Sequence, residues 1–381
     1  MDLKNDTISF AARCLGRMPG RFGAAALLGR GYGLRCLVIH DVSPAESAFT
    51  RGMGVSLTPE ALRSALTFVA ENYTPVSLDD VLSGDAGRAL PKRPMLVTFD
   101  DGYRSVLHTA VPLCRELGIR PVFFVNAAFI DNHRLAPDNI VCYAVNTAGM
   151  EAINRAAMAV KGTAAAPIKS MTDVFSNLFP TLSLDERNAF LDALKREASI
   201  DEEKLAAEAC LYFTRQDLRK LAALGFEIGN HTYSHARCRS LCAEDVRNEV
   251  ERNQAELELL TGRPVRSFSI PYGSSADLTS EVSAVLERSG HQAVFLSGSV
   301  SNREADTRMP LDRVSLRSTR PDALLFDIEV LPRLRALRNH TGRTGVQSAR
   351  TQPVRTGARV ELQNLIQAQH SLTCHREEKP S

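Results

Sequence analysis

The chain has 381 residues, enough for one large domain with appendages or two modest ones. Hydrophobic residues make up 44% and charged residues 24%, the balance of a globular enzyme with a sizeable core rather than of a disordered or fibrous chain. Net charge is +2, which excludes a strong electrostatic pull toward nucleic acid, and no apolar run approaches the roughly 18 residues of a membrane span.

Residues 1–33 carry recurrent arginines and one short apolar run, 24–28. A secretory leader wants roughly 7–15 consecutive apolar residues, so we read 1–33 as an amphipathic helical segment and expect a cytoplasmic protein. Residues 35–42 (RCLVIHDV) form a buried strand ending in His40 and Asp41. A helix follows, with Thr58 as N-cap, Pro59 in its first turn and Leu62, Leu66 and Val69 on one face. A second strand, 94–99, runs into Asp100-Asp101-Gly102. A helix near 104–117 and a strand at 121–125 come next.

Residues 131–210 break this rhythm. They are Ala-rich and helical in pattern, and we read them as an insertion over the mouth of the fold. The alternation then resumes: a helix capped by Thr214, a strand at 226–230 leading to His231, a helix at 243–261, a strand at 267–270 closing on Pro271-Tyr272-Gly273, a helix at 277–289 and a strand at 293–296. Alternating strands and helices argue for an α/β fold with parallel strands, whose carboxyl ends are where ligands bind. From about 339 the chain turns Thr-, Gly-, Arg- and Gln-rich, so 339–381 reads as a flexible tail behind a domain spanning 34–338.

The eight cysteines (14, 36, 114, 142, 210, 238, 242 and 374) include no CxxC pair and read as free thiols, Cys238 and Cys242 among them. Three clusters carry chemistry. In His231-Thr-Tyr-Ser-His235 two imidazoles four apart would share one side of a helical turn and reach one metal ion, although a surface pair reads equally well from spacing alone. In Thr98-Phe-Asp-Asp-Gly102 adjacent carboxylates at a strand end cannot point the same way. One could ligate a metal while the other faces water, or the segment could be a plain turn. In Ser269-Ile-Pro-Tyr-Gly273 a turn could aim a backbone N–H at an oxyanion.

Together, TFDDG at 98–102, GFEIGNH leading into HTYSH at 231–235, and Pro271-Tyr272-Gly273, in this order, make the chain resemble the polysaccharide deacetylases. This is the NodB-homology group, carbohydrate esterase family four. The resemblance covers roughly 34–130 and 211–316. It implies a distorted (β/α) barrel, with Asp100 as general base and Asp101, His231 and His235 holding one divalent metal, usually zinc. It also implies that Tyr272 donates its backbone N–H to the oxyanion and that Pro271, Tyr272 and Gly273 line the substrate. The implied reaction removes the N-acetyl group of an amino sugar in an oligo- or polysaccharide and releases acetate. Three protein ligands leave room on the ion for water and the acyl oxygen.

Two departures qualify this. Many members carry an Arg at the position of Ser269, where it orients the base; Arg313 in Leu-Asp-Arg-Val is the replacement we expect from a later strand. The family's late Leu-x-His, source of the general acid, has no match. His40 is the candidate for a catalytic or supporting role, His291 reads as structural, and His340, His370 and His375 lie in the tail. Two rival readings follow: an amidohydrolase of the same fold acting on a non-sugar C–N bond, or a catalytically weak sugar-binding protein that keeps the metal.

Overall fold

A computed structural model describes residues 33–85, 89–162, 167–298, 302, 310–316, 321–332 and 335. The expected helical segment 1–33 and the tail 339–381, with its three histidines, lie outside them, apart from residue 33. Strands β1 (Arg35–Ile39), β5 (Pro94–Phe99), β6 (Val122–Val125) and β9 (Ala293–Leu296) are apolar except for Arg35 and Thr98 and are buried at every position, as in strands covered on both faces. The expected strand 35–42 is two. It breaks at His40, and β2 (Asp41–Val42) leaves the main sheet to pair with β3 (Ser56–Leu57).

Helix α1 (Pro59–Asn72) is capped by Thr58, which accepts from the Ala61 N–H at 3.2 Å. Strand β4 (Thr74–Pro75), α2 (Leu78–Asp85) and α3 (Val106–Glu116) follow. Beyond the insertion come α7 (Arg215–Ala223), β7 (Glu227–Asn230), α8 (Ala243–Thr261), β8 (Ser267–Ser269) and α9 (Ser280–Arg288). Thr214 and Asp217 close a reciprocal cap on α7. Cys242 caps α8, its sulfur accepting from Asp245 N–H at 3.5 Å. The expected helix at 277–289 starts at Ser280, because 275–277 is a tight turn of its own.

All pairings in the main sheet are parallel, in the order β9-β8-β7-β6-β5-β1, with β4 beside β5. Strands β10 (Leu311–Asp312) and β11 (Val314–Ser315) are one stretch of chain. Its first half pairs with β9 and its second with β1, so the sheet curls into a nearly closed barrel with Arg313 at the seam. Helix α10 (Pro321–Leu325) follows it. Phe99, Phe123, Phe213 and Phe226 pack between barrel and helices.

Residues 131–210 hold α4 (Pro137–Lys161), α5 (Leu184–Glu197) and α6 (Glu202–Ala209), with short helical turns between α4 and α5. Their core is separate, built on Ala152, Ile153, Phe190, Leu194 and Ala206. No described helix is long and apolar enough to cross a membrane.

Candidate active site

The carboxyl ends of the parallel strands converge on one cluster. Strand β5 runs directly into Asp100, which is 3% exposed. Arg313 grips it with both arms: Nη1 donates to Oδ1 and Nη2 to Oδ2, each at 2.7 Å. The same guanidinium donates to Thr98 Oγ1 (3.0 Å), Ser269 Oγ (2.7 Å), Ser297 Oγ (3.0 Å) and Leu296 O (3.1 Å), and lies 5.4 Å from the Phe124 ring centre and 5.9 Å from that of Phe295. Burial alone would raise the Asp100 carboxyl. Arg313 and then His231 outweigh it, and the group stays below the usual carboxylate range. Ser269 also donates to Asp100 Oδ2 at 3.2 Å. A small residue at 269 therefore leaves the space that the guanidinium from the seam fills.

Asp101 takes a left-handed backbone, φ 67°, which turns its side chain out of the strand's alternation. Its Oδ1 lies 3.3 Å from His231 Nε2 and 3.5 Å from His235 Nε2. The two imidazoles are held from behind. His231 Nδ1 donates to Ser269 O at 2.7 Å, and His235 Nδ1 to Asp138 Oδ2 at 2.5 Å. With Nδ1 engaged, each ring presents Nε2 inward.

The expected helical turn through these histidines is not there. Residues 231–237 form a loop in which Thr232 (φ 62°) and His235 (φ 52°) are left-handed. Contacts distant in sequence hold it. Asn126 Nδ2 donates to the carbonyls of His231 and Thr232, and Glu249 accepts from Ser234 N and Oγ, both at 2.7 Å.

Asp101, His231 and His235 have ligand atoms within 4.8 Å of one another. Asp101 Oδ1 is buried and accepts no hydrogen bond, an expensive state for a carboxylate oxygen unless a cation completes it. One carboxylate and two imidazoles, all aimed at the same space, fit a divalent metal. Burial raises the Asp101 carboxyl, but His235 and His231 bring it well below the ordinary range. Burial likewise lowers His235, while Asp138 and then Asp101 raise it to about 9.

Pro271, Tyr272 and Gly273 form the turn after β8. Tyr272 is left-handed (φ 62°), its ring lies 4.9 Å from that of His235, and its backbone N–H donates to nothing among the described residues. Gly273 is required: φ is 67°, and a Cβ there would meet the Ser297 backbone nitrogen at 2.6 Å. Half-buried His40 follows β1, close enough that its positive form would lower both Asp100 and Asp101. His291 sits at the opposite end of the barrel, before β9. It packs edge-on against Phe268, and burial lowers it to about 4. The structure thus brings together Asp100, Asp101, His231, His235, Arg313 and the 271–273 turn, and leaves His291 out.

Two residues of the insertion, Asp138 and Arg187, escape sequence reasoning. Asp138 follows Pro137 in the first turn of α4, where an acid reads as an ordinary helix-start residue. Arg187 donates to Ser234 Oγ at 2.9 Å and Ser234 O at 3.3 Å.

Comparison with known proteins fits this geometry. The chain resembles the deacetylase PplD of Streptococcus pyogenes, solved with acetate, at 12% identity and a TM-score of 0.51 over 78% of this chain and 98% of that one. At that identity the likeness speaks for the fold alone. IcaB from Ammonifex degensii is 18% identical (77% and 96% covered, TM-score 0.48). A de-N-acetylase from Aggregatibacter actinomycetemcomitans is 15% identical (75% and 95% covered, TM-score 0.48). No curated protein matches the sequence. The polysaccharide deacetylase family pattern matches residues 87–294, more than half of the chain and the part that carries Asp100, Asp101, His231, His235 and Tyr272. The chain belongs to the polysaccharide deacetylase family.

Proposed function

We propose that this protein is a metal-dependent hydrolase that removes the N-acetyl group from an amino sugar of an oligo- or polysaccharide and releases acetate. One observation carries the reading: the buried, unbonded Asp101 Oδ1 faces two imidazole Nε2 atoms, one residue from a carboxylate clamped by arginine. Asp101, His231 and His235 would hold the ion, and their donor set suits zinc. When bound, zinc polarises a carbonyl and acidifies water, which a carboxylate as weakly basic as Asp100 needs in a partner.

The chain's own groups supply the rest. Asp100 takes the proton of the attacking water, and Arg313 keeps the carboxylate ionised and fixed. The Tyr272 N–H meets the oxygen of the acetyl carbonyl as charge develops on it. The new C–O bond forms from water, the C–N bond breaks, and its electron pair takes up a proton, so that an amine and acetate leave. His40, beside both carboxylates, is our candidate for delivering that proton. The seam position of Arg313 supplies what the Ser269 departure had put in doubt, which favours an active enzyme over a sugar-binding relic.

Acetate release from a panel of N-acetylated glycans, with metal content measured alongside, tests the reading. Asp100→Asn should lower turnover by about 10²–10⁴-fold while the metal stays bound. Undiminished turnover would remove Asp100 as the base. Release of acid only from non-sugar amides would transfer the site to the rival amidohydrolase reading.

A further inference from the structure

Next to the catalytic cluster, barrel and insertion enclose a cavity of about 150 Å³. Phe129, Ile140 and Leu191 are among its apolar lining. Arg134, Arg187 and Lys195 also line it, with Asp192 and Glu202 as its carboxylates. Both carboxylates are already engaged. Lys195 Nζ is 2.8 Å from each, and Arg134 Nε is 3.9 Å from Glu202.

Arg187 is the cation left over. It is 7% exposed, and among the described residues it forms no ion pair. Its two Nη atoms donate to neutral oxygens of Ser234 and Asn188, and its buried Nε has no partner. Its nearest balancing charges, Glu249 across the Ser234 hydroxyl and Asp138, act on it from a distance and neither meets the guanidinium directly. A guanidinium removed from water without a paired anion is costly, and its planar fork is shaped for an oxyanion.

The cavity also adjoins the site. Ser234 and Pro137 on its wall each precede one of the two residues, His235 and Asp138, that meet at His235 Nδ1. Arg134 and Asp192 are each 60% exposed, so the cavity opens to solvent.

We propose that this cavity binds an acidic group, a carboxylate or phosphate ester, on a sugar beside the one being deacetylated. The substrate is then an acidic N-acetylated glycan. This rests on the deacetylase reading above. The apolar wall suits the C–H face of a sugar ring, and the surplus positive charge suits its acid.

Equilibrium binding to the metal-free protein tests it, comparing N-acetylglucosamine oligomers with the same oligomers carrying a uronate or a phosphate ester. The acidic oligomers should bind at least about tenfold tighter at low salt, the worth of one charge-assisted hydrogen bond. Salt should narrow the gap, and Arg134→Glu or Lys195→Glu should close it. Arg187→Met should close it too; because that change also frees Ser234, near-UV circular dichroism checks its fold, and the exposed Arg134→Glu decides the matter if it unfolds. Equal binding of acidic and neutral oligomers overturns the proposal. So does inorganic phosphate binding as tightly as the acidic oligomer, which would mark a free-anion site. Acid selectivity with no acetate release from the metal-loaded protein would keep the cavity and remove the deacetylase reading; acetate release from the metal-loaded protein without selectivity would do the reverse.

Discussion

His231 and His235 point the same nitrogen into the same space, yet they are held from different regions of the molecule. Behind His231 stands the barrel, whose Ser269 carbonyl accepts from Nδ1. Behind His235 stands the insertion, whose Asp138 carboxylate occupies the equivalent place. A backbone carbonyl carries no net charge, does not titrate and cannot be mutated away. A carboxylate is charged and can be replaced by mutation, and it makes the ring more basic. The barrel side is therefore the fixed half of the site and the insertion the adjustable half.

The largest effect should come from breaking the fixed half. Arg313→Met would leave Asp100 buried at 3% exposure without its bidentate partner. Breaking one side of a buried pair costs about 3–5 kcal/mol, so denaturant melts should shift by that order and acetate release should collapse. Arg313→Lys should restore little, since an ammonium cannot span both carboxylate oxygens, Ser269 and Ser297 at once. A Met variant as stable as the parent would show that the seam does not carry the site.

The adjustable half should yield more gently. Asp138→Asn keeps a hydrogen-bond acceptor beside His235 and removes its charge. Zinc affinity, read by competition with a chelator, should fall by about 10–100-fold, the usual worth of such a partner. An unchanged affinity would erase the contrast between the two histidines.

That charge also sets a pH dependence. In the metal-free protein His235 is raised from 6.5 to about 9. A folded-state pKa above the unfolded one means that the protonated ring stabilises the fold. The contribution is fully present below about pH 6.5 and lost as pH rises through about 9. The melting temperature of the metal-free protein should therefore fall across that window. Zinc has to displace the same proton, so its affinity should rise over the same range. Asp138→Asn should flatten both curves, and a parent protein whose metal-free melting temperature is level from pH 6.5 to 9 would contradict the assignment.

The fixed half was legible in the sequence, for a physical reason. Strand ends put Asp100, Asp101 and His231 where parallel sheets bind ligands, and short motifs mark them. Arg313 could be nominated because Ser269 left a vacancy to fill. The adjustable half was not legible. Four-residue spacing suggested a helical turn for His231 and His235, but the loop is shaped by Asn126, Glu249 and Asp138, far away in sequence. Asp138 and Arg187 sit in a helical segment with its own apolar core, where an acid in a first helical turn and an arginine near a helix start have ordinary local explanations.

Tyr272 stands where the two halves meet, and it gives the smallest expected effect. It follows β8 of the barrel, and its ring lies 4.9 Å from His235 and 6.3 Å from Phe175 of the insertion. Its hydroxyl is buried and has no hydrogen-bond partner. If the turn serves the reaction through its backbone N–H, Tyr272→Phe should change kcat/KM by less than about threefold, because it removes only an idle oxygen. A loss beyond about tenfold would assign the hydroxyl a part in transition-state stabilisation. Asp138, whose charge adds to burial in keeping the Tyr272 hydroxyl protonated, would then be the group to test beside it. The adjustable half would in that case extend from His235 into the substrate-binding turn. Combining Tyr272→Phe with Asp138→Asn separates the two outcomes: independent residues give additive losses, whereas a shared contact makes the second change cost less than it does alone.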